Sequence, residues 1–420
     1  MRRPIVLILL ISIVISFVYT KNYNDKFYDI EDKYIQVEGI VKDAIYKEYY
    51  YEYVVGNFLI RDFNKTEKTN IGEYIRVKGT FKTSYNMMID EFNYGMYLKS
   101  RGIDGIVNSK YIKLYKSHNI YSYIKNSKNS LEYAIEDIFR ENSSFVNALI
   151  LGDKSKLDIN IKEAFSRAGV SHIIALSGLH IGIVIYIITL MIGRINNLVK
   201  FFTISILIFI YCIVVGFRGS MFRACIFSFI IYLAIFVQRE YDGISALCFV
   251  GIILCITNPF NIYDIGVQLS FLATLSIIYF YNKIDKYIRC PLISTTISAS
   301  ILTIPVVYYR FNIISNVFLI SNVLVVPTVG ILIGLIFMGI IFYYINVNII
   351  YLMISKIVCF IIFYIKFVVF YLSSIKYSYI EFETVSLKLV VLYYILLMTY
   401  MIYNERKTVK EQLNEVRGYN

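Results

Sequence analysis

The sequence predicts an α-helical polytopic membrane protein, with about 10–11 spans of which some are broken, carrying one small inserted β-barrel. Composition is the first observation behind this. Of 420 residues, 57% are hydrophobic and 17% charged, against about 25% charged in an average soluble domain. A soluble fold cannot bury that much apolar surface, so a bilayer must solvate it. Placement of polarity is the second. Charged residues crowd 21–128 and the C-terminal tail, whereas 170–403 is nearly continuous apolar sequence, as spans joined by short loops require. The third is a change of period, from alternation before residue 130 to helical spacing after it.

Arg2 and Arg3 precede the apolar run 4–18, and no A-x-A-like cleavage site follows it. Residues 1–21 therefore read as a retained first span with a cytoplasmic N-terminus, which puts 22–130 outside the cell. That segment reads as β. Tyr34-Ile-Gln-Val-Glu-Gly-Ile-Val41 and Tyr74-Ile-Arg-Val-Lys-Gly-Thr-Phe81 alternate, and 49–55, 58–63 and 105–115 are further candidate strands. Each alternating run sets apolar residues on one face and charge on the other. Five short strands fit an OB-like barrel, although another all-β topology would give the same pattern.

From 131 to 403 the chain reads as a multi-span domain. Amphipathic helices at 131–139 and 159–168 suit the membrane surface. Spans follow at about 172–193, 201–217, 221–238, 244–258, 265–282, 291–308, 312–345 (one or two), 348–373 and 386–403. The tail 404–420 is charged and solvated. Loops predicted inside carry Arg194, Lys200, Arg239, Lys283, Lys286 and Arg289, while the outside loop 258–264 carries no Lys or Arg. Arg406, Lys407 and Lys410 favour a cytoplasmic tail. The formal net charge of +12 follows first from this topology and only second from any nucleic-acid partner. The six cysteines all lie in or beside apolar spans with no C-x-x-C spacing, so neither a disulfide nor a zinc site is expected. No metal and no cofactor is predicted.

Three polar segments enter the apolar sequence. The first is Gly169-Val-Ser-His-Ile-Ile-Ala-Leu-Ser-Gly-Leu-His-Ile-Gly182, which brings His172, Ser177, Gly178 and His180 into a span. Polar groups at that depth need partners, and the glycines allow close backbone approach or a break lining a cavity. Interhelical hydrogen bonding of the two histidines is one reading. A Ser177–His180 nucleophile–base pair of an intramembrane hydrolase is another, with no third partner legible, and a His172–His180 metal pair lacks a third ligand. The second segment, Gly216-Phe-Arg-Gly-Ser-Met-Phe-Arg-Ala224, contains Arg218, Ser220 and Arg223. Arg218 can snorkel to headgroups, whereas Arg223 opens an apolar run and should face the bundle interior or water. The third, Asn258-Pro-Phe-Asn-Ile-Tyr-Asp-Ile-Gly-Val-Gln-Leu-Ser-Phe-Leu-Ala273, sets Asp264, Gln268 and Ser270 at the start of a span. A helix start with interhelical polar contacts is the plain reading. Further on, Pro305, Arg310, Asn322 and Pro327 interrupt apolar sequence.

These segments, in this order, resemble the signature blocks of the ComEC-type competence channel family: Ser-His-x-x-Ala-x-Ser-Gly-Leu-His, Ser-x-x-Arg-Ala, and Asn-Pro…Gly-x-Gln-Leu-Ser-Phe-x-Ala. The likeness extends to Leu151-Gly-Asp153, Ile304-Pro305…Arg310-Phe311 and Tyr97-Leu-Lys-Ser-Arg-Gly-Ile103, covering about 25–385. The resemblance implies a multi-pass cell-membrane channel for single-stranded DNA taken up during transformation, with the OB-type domain outside. Many members carry a metallo-β-lactamase-like nuclease domain, whose His-x-His-x-Asp-His motif this sequence lacks; its three histidines lie elsewhere. The expectation is a short form that is not an enzyme, with no catalytic residues. Arg218, Arg223, Arg310 and Gln268 are candidates for the DNA path. With no G-x-x-x-x-G-K-[ST] motif to supply a motor, the implied partners are a DNA receptor or pilus apparatus outside, a separate nuclease, a cytoplasmic ATP-dependent translocase, the lipid bilayer and, as a further option, a second copy of the chain. A transporter for another solute is the rival reading, which would predict inverted repeats.

Overall fold

The computed structural model describes residues 4–46, 49–65, 68–85, 87–89, 92–115, 119–176, 178–193, 196–216, 225–230, 233 and 242–418. The chain begins with helix α1 (Pro4–Lys21) and then forms a closed five-stranded barrel from β1 (Tyr34–Tyr46), β2 (Tyr51–Val55), β3 (Phe58–Asp62), β4 (Tyr74–Thr83) and β7 (Gly105–Tyr115). The strand order is β1-β2-β3-β7-β4. All neighbours are antiparallel except β3 and β7. Between β4 and β7 lie the two-residue strands β5 (Met88–Ile89) and β6 (Phe92–Asn93) and helix α2 (Tyr94–Ser100). This is the Greek-key arrangement of an OB-like barrel, and the two alternating runs and three further candidate strands of the sequence supply its strands.

Alternation dictates which residues turn inward. Val41, Tyr53, Val55, Ile60, Ile75, Val77, Phe81 and Val107 are fully buried and form the barrel core. At the β4–β7 bulge between Lys78 and Gly79, a Cβ on Gly79 would collide with the carbonyl oxygen of Asn108. Only glycine lets the strands approach there.

After the barrel, α3 (Ile120–Phe139) starts eleven residues earlier than its apolar periodicity suggests, because Asn119 and Ser122 form a capping box. Its first turns are polar, and only Ala134, Ile135, Ile138 and Phe139 are buried. Then follow α4 (Ser143–Ile150), α5 (Ile159–Arg167), α6 (Ser171–Ile174), α7 (Gly178–Ile192), α8 (Asn197–Val215), α9 (Gly243–Thr257), α10 (Ile265–Ile288), α11 (Pro291–Phe311), β8 (Ile313–Ser315), α12 (Phe318–Tyr344), α13 (Asn348–Ser374), β9 (Tyr379–Glu381) and α14 (Leu387–Gly418). Among the described residues, 7 helices are long and apolar enough to cross a membrane, and two shorter apolar helices, His180–Ile192 and Gly243–Thr257, accompany them. The stretch 312–345, readable as one crossing or two, forms a single helix that carries Pro327 inside it. Most of the span expected at 221–238 lies outside the described residues.

One large core joins α3, α4, α5, α7, α8, α12 and α13. The α10–α11 hairpin is a separate packing unit held by small hydroxyl residues. Ser276 Oγ donates to the carbonyl of Ser298, and Ser276, Ser294 and Ser298 are all fully buried. Small side chains let the two helices close together where lipid gives no hydrophobic drive for association.

Candidate functional site

In the first polar segment, helical structure breaks between α6 and α7. Ala175 is extended (ψ 133°), and helix resumes at Gly178. The turn that leads in depends on Gly169, whose φ of +75° favours glycine and whose added Cβ would lie 2.6 Å from Phe318 Cβ and 2.9 Å from Ser315 Cβ. The two histidines are treated differently. His180 is 1% exposed and faces the core. His172, with Ser171 and Gly178, is exposed although Val170, Ile173, Ile174 and Leu176 around it are buried. His172 and Gly178 therefore stand at the accessible edge of the break, while His180 is packed inside it. Among the described residues no group of three metal-capable side chains exists. Ser177 lies outside the described residues, so its geometry to His180 is not part of the site described here. Helix α7 packs Ile183 and Ile187 over Gly330 and Gly334 of α12.

The second segment opens with the C-cap of α8, Gly216 at φ +93°. Arg218, Ser220 and Arg223 lie outside the described residues.

The third segment is a hydrogen-bonded turn. Asn258 caps the short 3-10 helix Pro259–Tyr263 by accepting from Phe260 N at 3.0 Å. Asp264 caps α10, its Oδ1 accepting from Val267 N at 2.8 Å. The Gln268 amide donates to Ile262 O at 2.7 Å, which binds the side chain into the turn. Ser270 stands within α10, its carbonyl accepting from Thr274 Oγ1 at 2.9 Å. The Asn258 amide also reaches out of the membrane domain, donating to Lys99 O at 2.8 Å and Ser100 O at 3.1 Å. It thus adds a second donor to the Lys99 carbonyl, which already accepts from Gly102 N at 2.9 Å, and bonds the Ser100 carbonyl at the C-terminal end of α2.

Other contacts complete this junction. Phe260 meets Tyr23 edge-on at 5.2 Å, and Thr20 Oγ1 lies 3.2 Å from the Tyr263 hydroxyl. Lys99, with a side chain 2% exposed, pairs with Asp25 at 3.4 Å and Asp104 at 3.0 Å and lies over the Tyr23 ring. Burial alone would lower the Lys99 pKa. The hydrogen bond and charge of Asp104 and the charge of Asp25 outweigh it and hold the ammonium above its ordinary value. Barrel, first helix and third segment are therefore one joint.

Pro305 sits inside α11 and cannot donate to the carbonyl of Ile301 four residues earlier. The Tyr393 hydroxyl of α14 fills that role at 2.9 Å, and Tyr394 donates to Leu302 O at 2.7 Å. Arg310 ends the same helix, its guanidinium 5.4 Å from the Tyr309 ring centroid.

Two features escape a reading by sequence blocks. One is Lys366, within the span formed by α13, whose Nζ donates to Asn142 Oδ1 at 3.0 Å; a lysine inside so apolar a helix was itself the available signal. The other is the outer face of β1, β4 and β7. Register aligns Gln36, Lys78 and Tyr111 in one row, Glu38, Arg76 and Lys113 in the next, and Tyr74 beside Tyr115. Arg76 and Lys113 both lie against the Tyr115 ring, at 5.7 and 5.4 Å. Arg76 also pairs with Glu38 at 2.8 Å, and the hydrogen bond from Arg76 leads the interactions that hold the Glu38 carboxyl below its usual range.

The fold therefore defines a helical membrane domain whose first polar segment breaks between two helices, joined to an OB-like barrel with an aromatic and cationic face. The family described as "Competence protein" matches residues 149–407, more than half of the chain. The chain belongs to this competence family. It is also 28% identical over 192 residues, 44% of its length, to ComE operon protein 3 of Bacillus subtilis (strain 168). That match takes in 25% of the relative. No solved structure matches the chain.

Proposed function

We propose that this chain is the membrane channel that passes single-stranded DNA inward across the cytoplasmic membrane during DNA uptake. The observation that carries the reading is the competence-family match over 149–407, which spans the helical body containing the broken α6–α7 segment. Each nucleotide brings one negative charge, so its route through the bilayer must be wet and polar-walled. An accessible His172 and Gly178 amid a buried core suit such a wall. Arg218, Arg223 and Arg310 are the proposed phosphate contacts. Gln268 is reassigned from strand contact to shaping the turn, because its amide is already engaged.

In this reading the N-terminus is cytoplasmic and the barrel stands outside, where the Lys78–Arg76–Lys113 face with its tyrosines captures the strand first. Aromatic rings stack bases without sequence preference, at about 1–3 kcal/mol per base, and the cations give a salt-dependent affinity. A DNA receptor or pilus apparatus delivers the strand, a nuclease acting elsewhere converts duplex to single strand, and a cytoplasmic ATP-dependent translocase pulls it in. The test is complementation of a transformable host that lacks its own channel. Expression of this chain should restore entry of labelled DNA into the cytosol, and continued failure at normal membrane abundance ends the proposal.

A further inference from the structure

Lys366 carries a charge that no ion pair among the described residues meets. It lies in α13 (Asn348–Ser374), a helix long and apolar enough to cross a membrane, between the buried residues Ile365 and Val368. Its own side chain is half-buried. Its ammonium meets one neutral acceptor, Asn142 Oδ1 at 3.0 Å, and the face of Phe145 at 5.7 Å. Among the described residues it enters no ion pair. Glu141 reaches it through space without pairing.

An ammonium has three donors, and this one spends a single donor on an uncharged amide. Holding a half-buried charge within an apolar span without an ion-pair partner is costly, so such groups mark sites where an ion is met. A purely structural clamp is a weaker account, because α13 already holds the elbow between α3 and α4, where Asn142 lies, with a neutral bond. Ser355 Oγ donates to Ile138 O at 2.6 Å, and a second neutral pair would serve there at no cost in charge. The elbow is also close to the broken segment: Phe145 packs on Phe165 at 5.9 Å, in the helix that leads to Gly169 and His172.

We infer that Lys366, set by Asn142, is an anion-binding position of the membrane domain that takes the phosphodiester groups of a passing strand. The inference rests on the channel reading and adds a contact that the signature segments do not contain. Asn142 is a positioning residue, since it acts through Lys366.

The test uses the full chain in a transformable host lacking its own channel, with entry of labelled DNA and membrane abundance both measured. Lys366→Gln keeps a donor for Asn142 and removes the charge. Asn142→Asp supplies an internal counter-ion and strengthens the bond. If the position serves anions, both variants lower DNA entry by about tenfold or more, the loss of one charge-assisted contact, and Lys366→Arg stays near wild type. If the contact were only a clamp, Asn142→Asp would transport normally, and that result overturns the inference whatever Lys366→Gln does. Normal transport by both variants also overturns it, while leaving the channel reading intact. Failure of the unmodified chain to restore entry overturns both. Should Lys366→Gln not reach the membrane, Asn142→Asp decides alone, because its stronger bond favours the native packing.

Discussion

Replacing Asn258 with alanine tests the joint between barrel and membrane domain. The side chain makes three hydrogen bonds: it donates to Lys99 O at 2.8 Å and Ser100 O at 3.1 Å, and accepts from Phe260 N at 3.0 Å. A neutral hydrogen bond contributes about 0.5–1.5 kcal/mol net, so the three together are worth about 2–4 kcal/mol. Water can reach these partly buried carbonyls and recover part of that, which favours the lower end. A loss of about 2 kcal/mol raises the open population of the joint roughly 30-fold. The barrel stays attached, because the Tyr23–Phe260 ring contact and the Lys99–Asp25 pair remain. Amide hydrogen exchange of the full chain in lipid nanodiscs is the assay. Protection of α2 and of Pro259–Tyr263 should fall by about that factor, while β1 and β4 in the barrel core are unchanged. Asn258→Asp keeps the acceptor for Phe260 and loses both donors, so it should spare the turn at 259–263 and still loosen α2. Undiminished protection of α2 in both variants would refute the argument that this amide holds the barrel.

Three further outcomes follow from particular contacts. Tyr393→Phe orphans the Ile301 carbonyl that Pro305 leaves without a donor and should destabilise the α11–α14 contact by about 1–3 kcal/mol; adding Pro305→Ala, which restores a backbone N–H, should recover part of the loss, and strictly additive effects in thermal unfolding would sink the pairing. Lys78→Ala with Lys113→Ala should weaken single-stranded DNA binding uniformly across sequences and flatten its salt dependence by nearly two charges, and an unchanged slope in titrations of the full chain would remove this face from the capture step. Lys99 has a folded pKa above its ordinary 10.5, so its contribution to the joint is complete below that value and lost as pH rises through the folded pKa. Exchange protection of α2 should therefore be level up to about pH 10 and fall in stronger alkali, with Lys99→Met losing that step.

Much of this protein is local chemistry and can be read from the chain directly. Alternation marked β1 and β4 because strand residues face inward every second position, and short apolar runs marked the other three barrel strands. Continuous apolar runs marked the spans because only a helix satisfies its own backbone in lipid. The polar interruptions at 169–182 and 258–273 stood out because such residues are expensive there. Packing decided the rest. Periodicity could not say that Asn258 meets a barrel helix 159 residues away, that Tyr393 relieves a proline 88 positions earlier, or that Lys366 meets Asn142 across 224 residues. A hydrogen bond depends on where two helices are brought together, and a run that is apolar on every face carries no period to say which side turns inward. Sequence alone thus determined the classes of element and the family motifs. Only the tertiary structure decided which polar residue satisfies which exposed backbone group, and which charge it leaves unpaired.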